Sequence, residues 1–229
     1  MANTVKNQPP ATSTFQDPNP LENIQHTYER NSKRINTIGT IVLLAVVGFF
    51  AYKKFVQDPK ATKAANAIAY AQNYFAQDSL QKALNGDGQN IGFLQIISRY
   101  GGTESGNLAQ YYAGLSFLQL GDPNSAIKHL KEFDPEGTNV QYAAFGALAD
   151  AYMDAGKVKE GLEYYKKAAA DKENDVLTPV YLYRAALAHQ MLNQPDQAIE
   201  SLKRIRNEFP QSQQARDTEK ELARLGVID

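Results

Sequence analysis

Few side chains in this sequence stand at the spacings that catalysis needs. Ser79-x-x-Lys82 and Ser125-x-x-Lys128 match the S-x-x-K element of penicillin-recognising enzymes, whose serine is a nucleophile. That chemistry also needs S-D-N and K-T-G elements, and the sequence has neither. Both serines stand near the starts of expected second helices, where a hydroxyl can cap backbone N–H groups, so a cap or plain surface is expected. Asn85-Gly-Asp-Gly-Gln-Asn90 offers the oxygen donors and glycines of a calcium-loop centre. With Gly88 at the turn, Ala83 and Leu94 fall where such a loop requires Asp and a bidentate Glu, so a plain inter-helix loop is expected. His26, His129 and His189 are far apart, and none has a second His or Cys at ligand spacing. G-x-G-x-x-G, P-loop, H-E-x-x-H and G-x-S-x-G patterns are missing. The expectation is a protein that is not an enzyme, with no catalytic residue, no cofactor, no metal and no small-molecule substrate.

The composition agrees. The chain has 229 residues, 24 basic and 25 acidic, with 43% hydrophobic residues and neither Cys nor Trp. That apolar content suffices for a core. Near-neutral charge speaks against nucleic acid as a partner, because phosphates demand a basic face. Without Cys there are no disulfides, thiolate nucleophiles or zinc knuckles, and no lipid attachment through Cys.

The charge is unevenly spread. Residues 1–34 carry four basic and three acidic groups, and residues 1–20 hold four of the ten prolines. A polar, largely disordered tail is expected over 1–34, with a short helix over 21–34. Ile35 to Tyr52, INTIGTIVLLAVVGFFAY, then carries no charge. As a helix it rises about 27 Å, close to the roughly 30 Å of a bilayer's hydrocarbon. Ile35, Leu43, Leu44, Val47, Phe50 and Tyr52 give it an apolar surface on every side. Lys33 and Arg34 flank one end, Lys53 and Lys54 the other, and Phe49, Phe50, Tyr52 and Phe55 gather as an aromatic belt does. No A-x-A-like cleavage site follows, so 35–56 is expected to be an uncleaved signal anchor, holding the chain to a bilayer through one helix. Lysines and arginines balance across the span, so charge leaves the orientation open.

Beyond it the chain repeats. GLSFLQLGDPNSAIKHLKEF (114–133), ADAYMDAGKVKEGLEYYKKA (149–168) and ALAHQMLNQPDQAIESLKRI (186–205) share one register. Each opens on a small residue, Gly114, Ala149 or Ala186. Phe117, Tyr152 or His189 follows, then Gly121, Gly156 or Asn193 at the turn. A second small residue comes next, Ala126, Gly161 or Ala198, at separations of 35 and 37. Leu130, Tyr165 or Leu202 and then Phe133, Ala168 or Ile205 complete the unit. Small residues suit close helix crossings, and Gly or Asn suits a left-handed helix end. Ala71, Tyr74, Asp78 and Ala83 form a degenerate earlier copy. None of the prolines beyond the tail needs to sit mid-helix, and QSQQARDTEKELARLGVID reads as a polar capping helix.

This register resembles the tetratricopeptide repeat, whose period is 34. The resemblance implies an all-α fold: one N-terminal transmembrane helix, then an α-α superhelix. The superhelix has three clear repeats after the degenerate one and ends in a capping helix. Residues 57–104 become a linking helix and degenerate repeat, and 105–229 the repeat domain. It also implies a concave groove lined by the first helix of each pair. Leu108, Tyr111, Leu115 and Leu118, then Ala143, Gly146, Asp150 and Met153, then Val180, Tyr183, Leu187 and Gln190 fall on that lining. The carboxylate clamp of chaperone-binding members needs Lys, Arg and Asn there; Arg184, one position off, is the nearest candidate. The groove is therefore expected to take an apolar or helical protein segment, unless neighbouring repeats or the chain's own ends bury it. In its order of tail, span, linking helix and repeats, the chain resembles the YfgM type of bacterial inner-membrane protein. That resemblance implies a cytoplasmic N-terminus and a periplasmic repeat domain. It implies partners among Sec translocon subunits and a membrane-anchored periplasmic chaperone. A cytosol-facing import receptor and an adaptor for cell-wall enzymes are the alternatives.

Overall fold

The computed structural model describes residues 20–227. The tail over 1–19 lies outside the described residues, as does the side chain of His26. The chain divides into two compact units, residues 1–56 and 57–229. The first contains helix α1 (Pro20–Tyr52), which joins residues 21–34 and the apolar run in one element. Ile38, Ile41, Leu43, Leu44, Phe49 and Phe50 are all more than half exposed, and none of the helix's apolar window is buried within the chain. By length and composition it can cross a membrane.

A π-helical turn (Lys53–Gln57) follows, then α2 (Asp58–Ala76). Here a proline does enter helical backbone, contrary to expectation. Gln57, just ahead of α2, has φ −74° and ψ −47°, so Pro59 is preceded by helical residues. Proline lacks an N–H, and its ring crowds the carbonyl four residues back, that of Phe55. The widened turn coincides with the place where an ideal helix would meet that ring.

The second unit continues with α3 (Leu80–Asn85), α4 (Phe93–Tyr100), α5 (Glu104–Gln119), α6 (Pro123–Glu132), α7 (Gln141–Asp154) and α8 (Val158–Ala168). It ends with α9 (Leu177–Met191), α10 (Pro195–Glu208) and α11 (Gln213–Arg224). Among the described residues no strand forms.

One turn is used again and again. Asp78, Gly121, Gly156 and Asn193 have φ of 58°, 75°, 73° and 55°. Each donates its N–H to the carbonyl three residues back. The next residue donates five back: Ser79 to Tyr74, Asp122 to Phe117, Lys157 to Tyr152, Gln194 to His189. These bonds satisfy the last carbonyls of the first helix and reverse the chain. Gly226 and Val227 close α11 the same way. The aromatic position of the repeat therefore has two duties. Its carbonyl anchors the turn, and its ring packs: Phe117 stacks on His129 at 5.3 Å and Tyr152 on Tyr164 at 5.5 Å. His189 instead hydrogen-bonds the Gln194 side chain at 2.7 Å, which leaves Gln194 without a capping bond.

Paired helices meet at their small residues. Ala126, Ala149, Ala186 and Ala198 are fully buried. A β-carbon on Gly114 would lie 2.4 Å from Leu130 Cγ, and one on Gly161 2.8 Å from Met153 Sδ. The degenerate pair α2 and α3 obeys the same rule, with Ala71 and Ala83 fully buried. The core is consequently a series of clusters. Phe93 and Ile96 anchor the first, Leu130, Phe133 and Leu148 the second, Leu162, Leu202, Ile205 and Leu222 the third. Helix α11 supplies Leu222 and covers the end of the stack.

Gly121→Ala and Gly156→Ala place a β-carbon in the left-handed region and are each expected to cost about 1 kcal/mol. The urea midpoint should fall accordingly, while Asn193→Gly should leave it unchanged or raise it. A fall with Asn193→Gly as large as with Gly121→Ala would mean that the side chain, and not the backbone conformation, stabilises the turn.

Candidate protein-binding face

The first helices of the pairs, α5, α7 and α9, carry the expected lining, and the structure sorts it. Leu115, Leu118, Asp150, Met153, Tyr183 and Arg184 are half-buried. Leu187 is 39% exposed, and Met191, one turn further along α9, is 61% exposed. Leu108 lines a cavity of about 320 Å³ with Tyr112 and Val140 at the start of α5. Tyr183 belongs to the cluster that includes Leu222 of the capping helix, and Glu221 and Asp217 raise its pKa after burial does.

Tyr111 is a lining position that its neighbours bury. It is 8% exposed, with Tyr112 at 5.4 Å and Phe133 at 5.5 Å between ring centroids. Burial above all, then the neighbouring Tyr181 and Tyr112, push its pKa up to about 12. Gly146 is likewise closed off: a β-carbon there would stand 2.2 Å from the Tyr181 ring. The chain's own tyrosines thus occupy these two lining positions. The repeat pattern is blind to this, because it does not say which residue of a following repeat reaches back.

Asp150 forms the polar node of the face. Tyr165 Oη donates to its Oδ1 at 2.6 Å, and Arg184 Nη1 donates to Oδ1 and Oδ2 at 2.6 and 2.5 Å. Three helices are tied together, since Asp150 lies on α7, Tyr165 on α8 and Arg184 on α9. Burial and the bond to Asp150 raise the Tyr165 pKa, away from neutrality. The node therefore orients its members across three helices. Sequence reasoning found Asp150 and Arg184 but read Tyr165 as packing alone. The available signal was its hydroxyl, at a position where the other repeats have Leu130 and Leu202.

The motifs weighed for chemistry make local contacts. Ser79 makes no capping bond, and at Ser125 the cap is Asp122, whose Oδ1 accepts the Ser125 N–H at 3.0 Å. Ser79 thus stands at the start of α3 without capping it, and at α6 Asp122, just before Pro123, takes the capping role in place of Ser125. In the 85–90 loop, Asp87 accepts N–H groups of Gln89 and Asn90 at 2.9 and 2.6 Å and the Tyr74 hydroxyl at 2.5 Å. Its oxygens order the loop itself. His129 Nδ1 pairs with Gln110 Oε1 at 2.7 Å, and burial, then the Lys128 charge, lower its pKa. No group of His, Asp or Glu able to hold a metal occurs among the described residues.

The sequence profile of the tetratricopeptide repeat matches residues 108–133 and 181–212, the pairs α5–α6 and α9–α10. The α7–α8 pair lies between the matched segments, yet shares their turn and crossing. Among solved structures, the chain is similar to nearly identical repeats of this kind described as a kinesin light chain of Podosopora anserina. The TM-score is 0.55 at 18% identity, over 72% of this chain and 86% of that one. A point variant of that protein gives 0.55 and 18% over 72% and 85%. At such identity the likeness is one of fold. No curated protein matches the chain. The second unit is thus an all-helical, tetratricopeptide-like superhelix, a fold that serves as a protein-interaction scaffold.

Gly146→Ala drives a methyl group into the Tyr181 ring and is expected to cost about 1–3 kcal/mol in urea unfolding. An unchanged midpoint would mean that the ring swings aside freely. A second expectation concerns pH. N–H donation from Asn90, then the Tyr74 hydroxyl, then Gln89, holds the Asp87 carboxyl well below the usual carboxylate range. A carboxyl depressed on folding stabilises fully above its unfolded value, about pH 4, and loses that contribution as pH falls below it. The Gln89 and Asn90 amides should therefore lose exchange protection as pH is lowered from about 4. Asp87→Asn should remove the dependence, and protection that stays level in the wild type would refute it.

Proposed function

We propose that the protein is a membrane-anchored, non-catalytic scaffold that holds protein partners beside a bilayer. The observation that carries this reading is α1, an apolar helix none of whose apolar window is buried in the chain. So much exposed apolar surface calls for a partner, and a hydrocarbon layer is the one that fits its length. The repeats supply the second half of the reading. Leu115, Leu118, Met153, Leu187 and Met191 present apolar surface around the Asp150–Arg184 pair. Arg184 uses Nη1 on Asp150, leaving Nη2 and Nε as donors for a backbone carbonyl of a visiting segment. Apolar contact with a few fixed donors suits an amphipathic helix or an extended apolar segment.

At the finer level we read the chain as an ancillary subunit of the bacterial Sec translocon. Its N-terminus is cytoplasmic and its repeats are periplasmic. There they hold a membrane-anchored chaperone near emerging proteins. The resemblance in element order supports this, and so does a repeat domain that follows an apolar helix long enough to span a bilayer.

Three measurements test the reading in sequence. The protein should stay with membranes through alkaline carbonate extraction. Protease added to cells with a permeabilised outer membrane should digest residues 58–229. Crosslinking in mildly solubilised membranes should then recover translocon subunits. Extraction by carbonate would remove the anchor. Protection from protease would point to a cytosolic receptor. Recovery of peptidoglycan enzymes without the translocon would make the chain an envelope-assembly adaptor.

A further inference from the structure

Two seams between consecutive helix pairs leave clefts that are equivalent in place but not in chemistry. The first, about 190 Å³, lies where α6, α7 and α8 meet. Its lining is apolar and aromatic, with Leu130, Phe133, Phe145 and Tyr164, and no acidic residue contributes. Two exposed lysines, Lys131 and Lys167, also line it. Lys167 Nζ sits 4.7 Å from the Tyr164 ring centroid and 6.0 Å from that of Phe145. Neither ammonium has an ion-pair partner among the described residues.

The second cleft, about 220 Å³, lies one repeat on, between α8, α9 and α10. Lys166 and Arg204 hold the repeat positions of Lys131 and Lys167, but Glu163 and Glu208 already neutralise them at 3.1 Å each. Ser201 replaces Tyr164, and Glu200 joins the lining. The same helix packing therefore tolerates a polar, neutralised cleft. Packing accounts for Leu130, Phe133 and Tyr164, which belong to the second core cluster or stack on Tyr152, but not for two lysines left without ion-pair partners beside them.

We propose that the α6–α7–α8 cleft is a docking site for a partner polypeptide that inserts one apolar side chain flanked by carboxylates. A cavity of about 150 Å³ can hold a benzene ring, so this one suits a single Phe- or Leu-sized group. The two lysines then supply the opposite charge for the acids beside it. None of Leu115, Leu118, Met153 and Leu187 lines this cleft, so it is separate from the face assigned above and depends on no compartment.

The test uses the full chain in detergent micelles and unlabelled, capped Gly-Phe-Asp-Asp-Gly peptide, followed by saturation-transfer NMR at low salt. Saturable binding is expected, weakened about tenfold or more by Asn in place of both Asp, by Ser in place of Phe, and by added salt. The double variant Lys131→Gln/Lys167→Gln should weaken it equally, and Lys203→Gln on α10 should not. The peptide series reads the site in the unmutated protein, so it stands even if a variant folds poorly. Equal binding of the Asn and Asp peptides, or no saturation in the millimolar range, would overturn the proposal. Neither result bears on whether the translocon is the partner, which crosslinking reads separately.

Discussion

How closely two helices can approach decides almost everything in the repeat domain. A pair closes where neither helix projects more than a methyl group, as at Gly114 against Ala126 and Ala149 against Gly161. That approach brings Leu130 and Met153 over the crossing and leaves no room for larger residues there. The left-handed turn is the complement of this constraint. A reversal over so few residues is possible only when one residue adopts positive φ and the last carbonyls find donors. Once crossing and turn are set, the next pair inherits its position.

This explains why the fold was legible. Residues at the crossing and the turn are chosen by backbone geometry, so they recur at fixed spacing whatever the partner. Asp78 is the sharpest case. Nothing in its local composition marks it as a counterpart of Gly121, yet it takes the same conformation at the same place. The α7–α8 pair was readable for the same reason, although it lies between the segments that match the repeat profile. Pro59 was not readable, because a widened turn can absorb a proline that an ideal helix rejects.

The binding face was only half legible. Position in a repeat says which way a side chain starts, not what arrives to meet it. Tyr111 and Gly146 fall on the lining by position, but Tyr111 is buried beside Tyr112 and Phe133, and the Tyr181 ring of a later helix stands where a Gly146 side chain would lie. The Asp150 node shows the converse. Two of its members were named from position alone, but the third, Tyr165, comes from a second helix that the groove rule ignores. The clefts at the seams escaped altogether, since they depend on three helices and on which cations find partners.

The core is divided into clusters, each built from neighbouring helices. Such an array need not melt as one body; its far end can fray while the rest stays folded. Tyr164 packs against both the second and the third cluster, and the α6–α7–α8 seam lies at that junction. A segment seated there would join two units that can otherwise open in turn. Occupancy would then be felt as cooperativity, with a single sharper transition replacing a stepwise one.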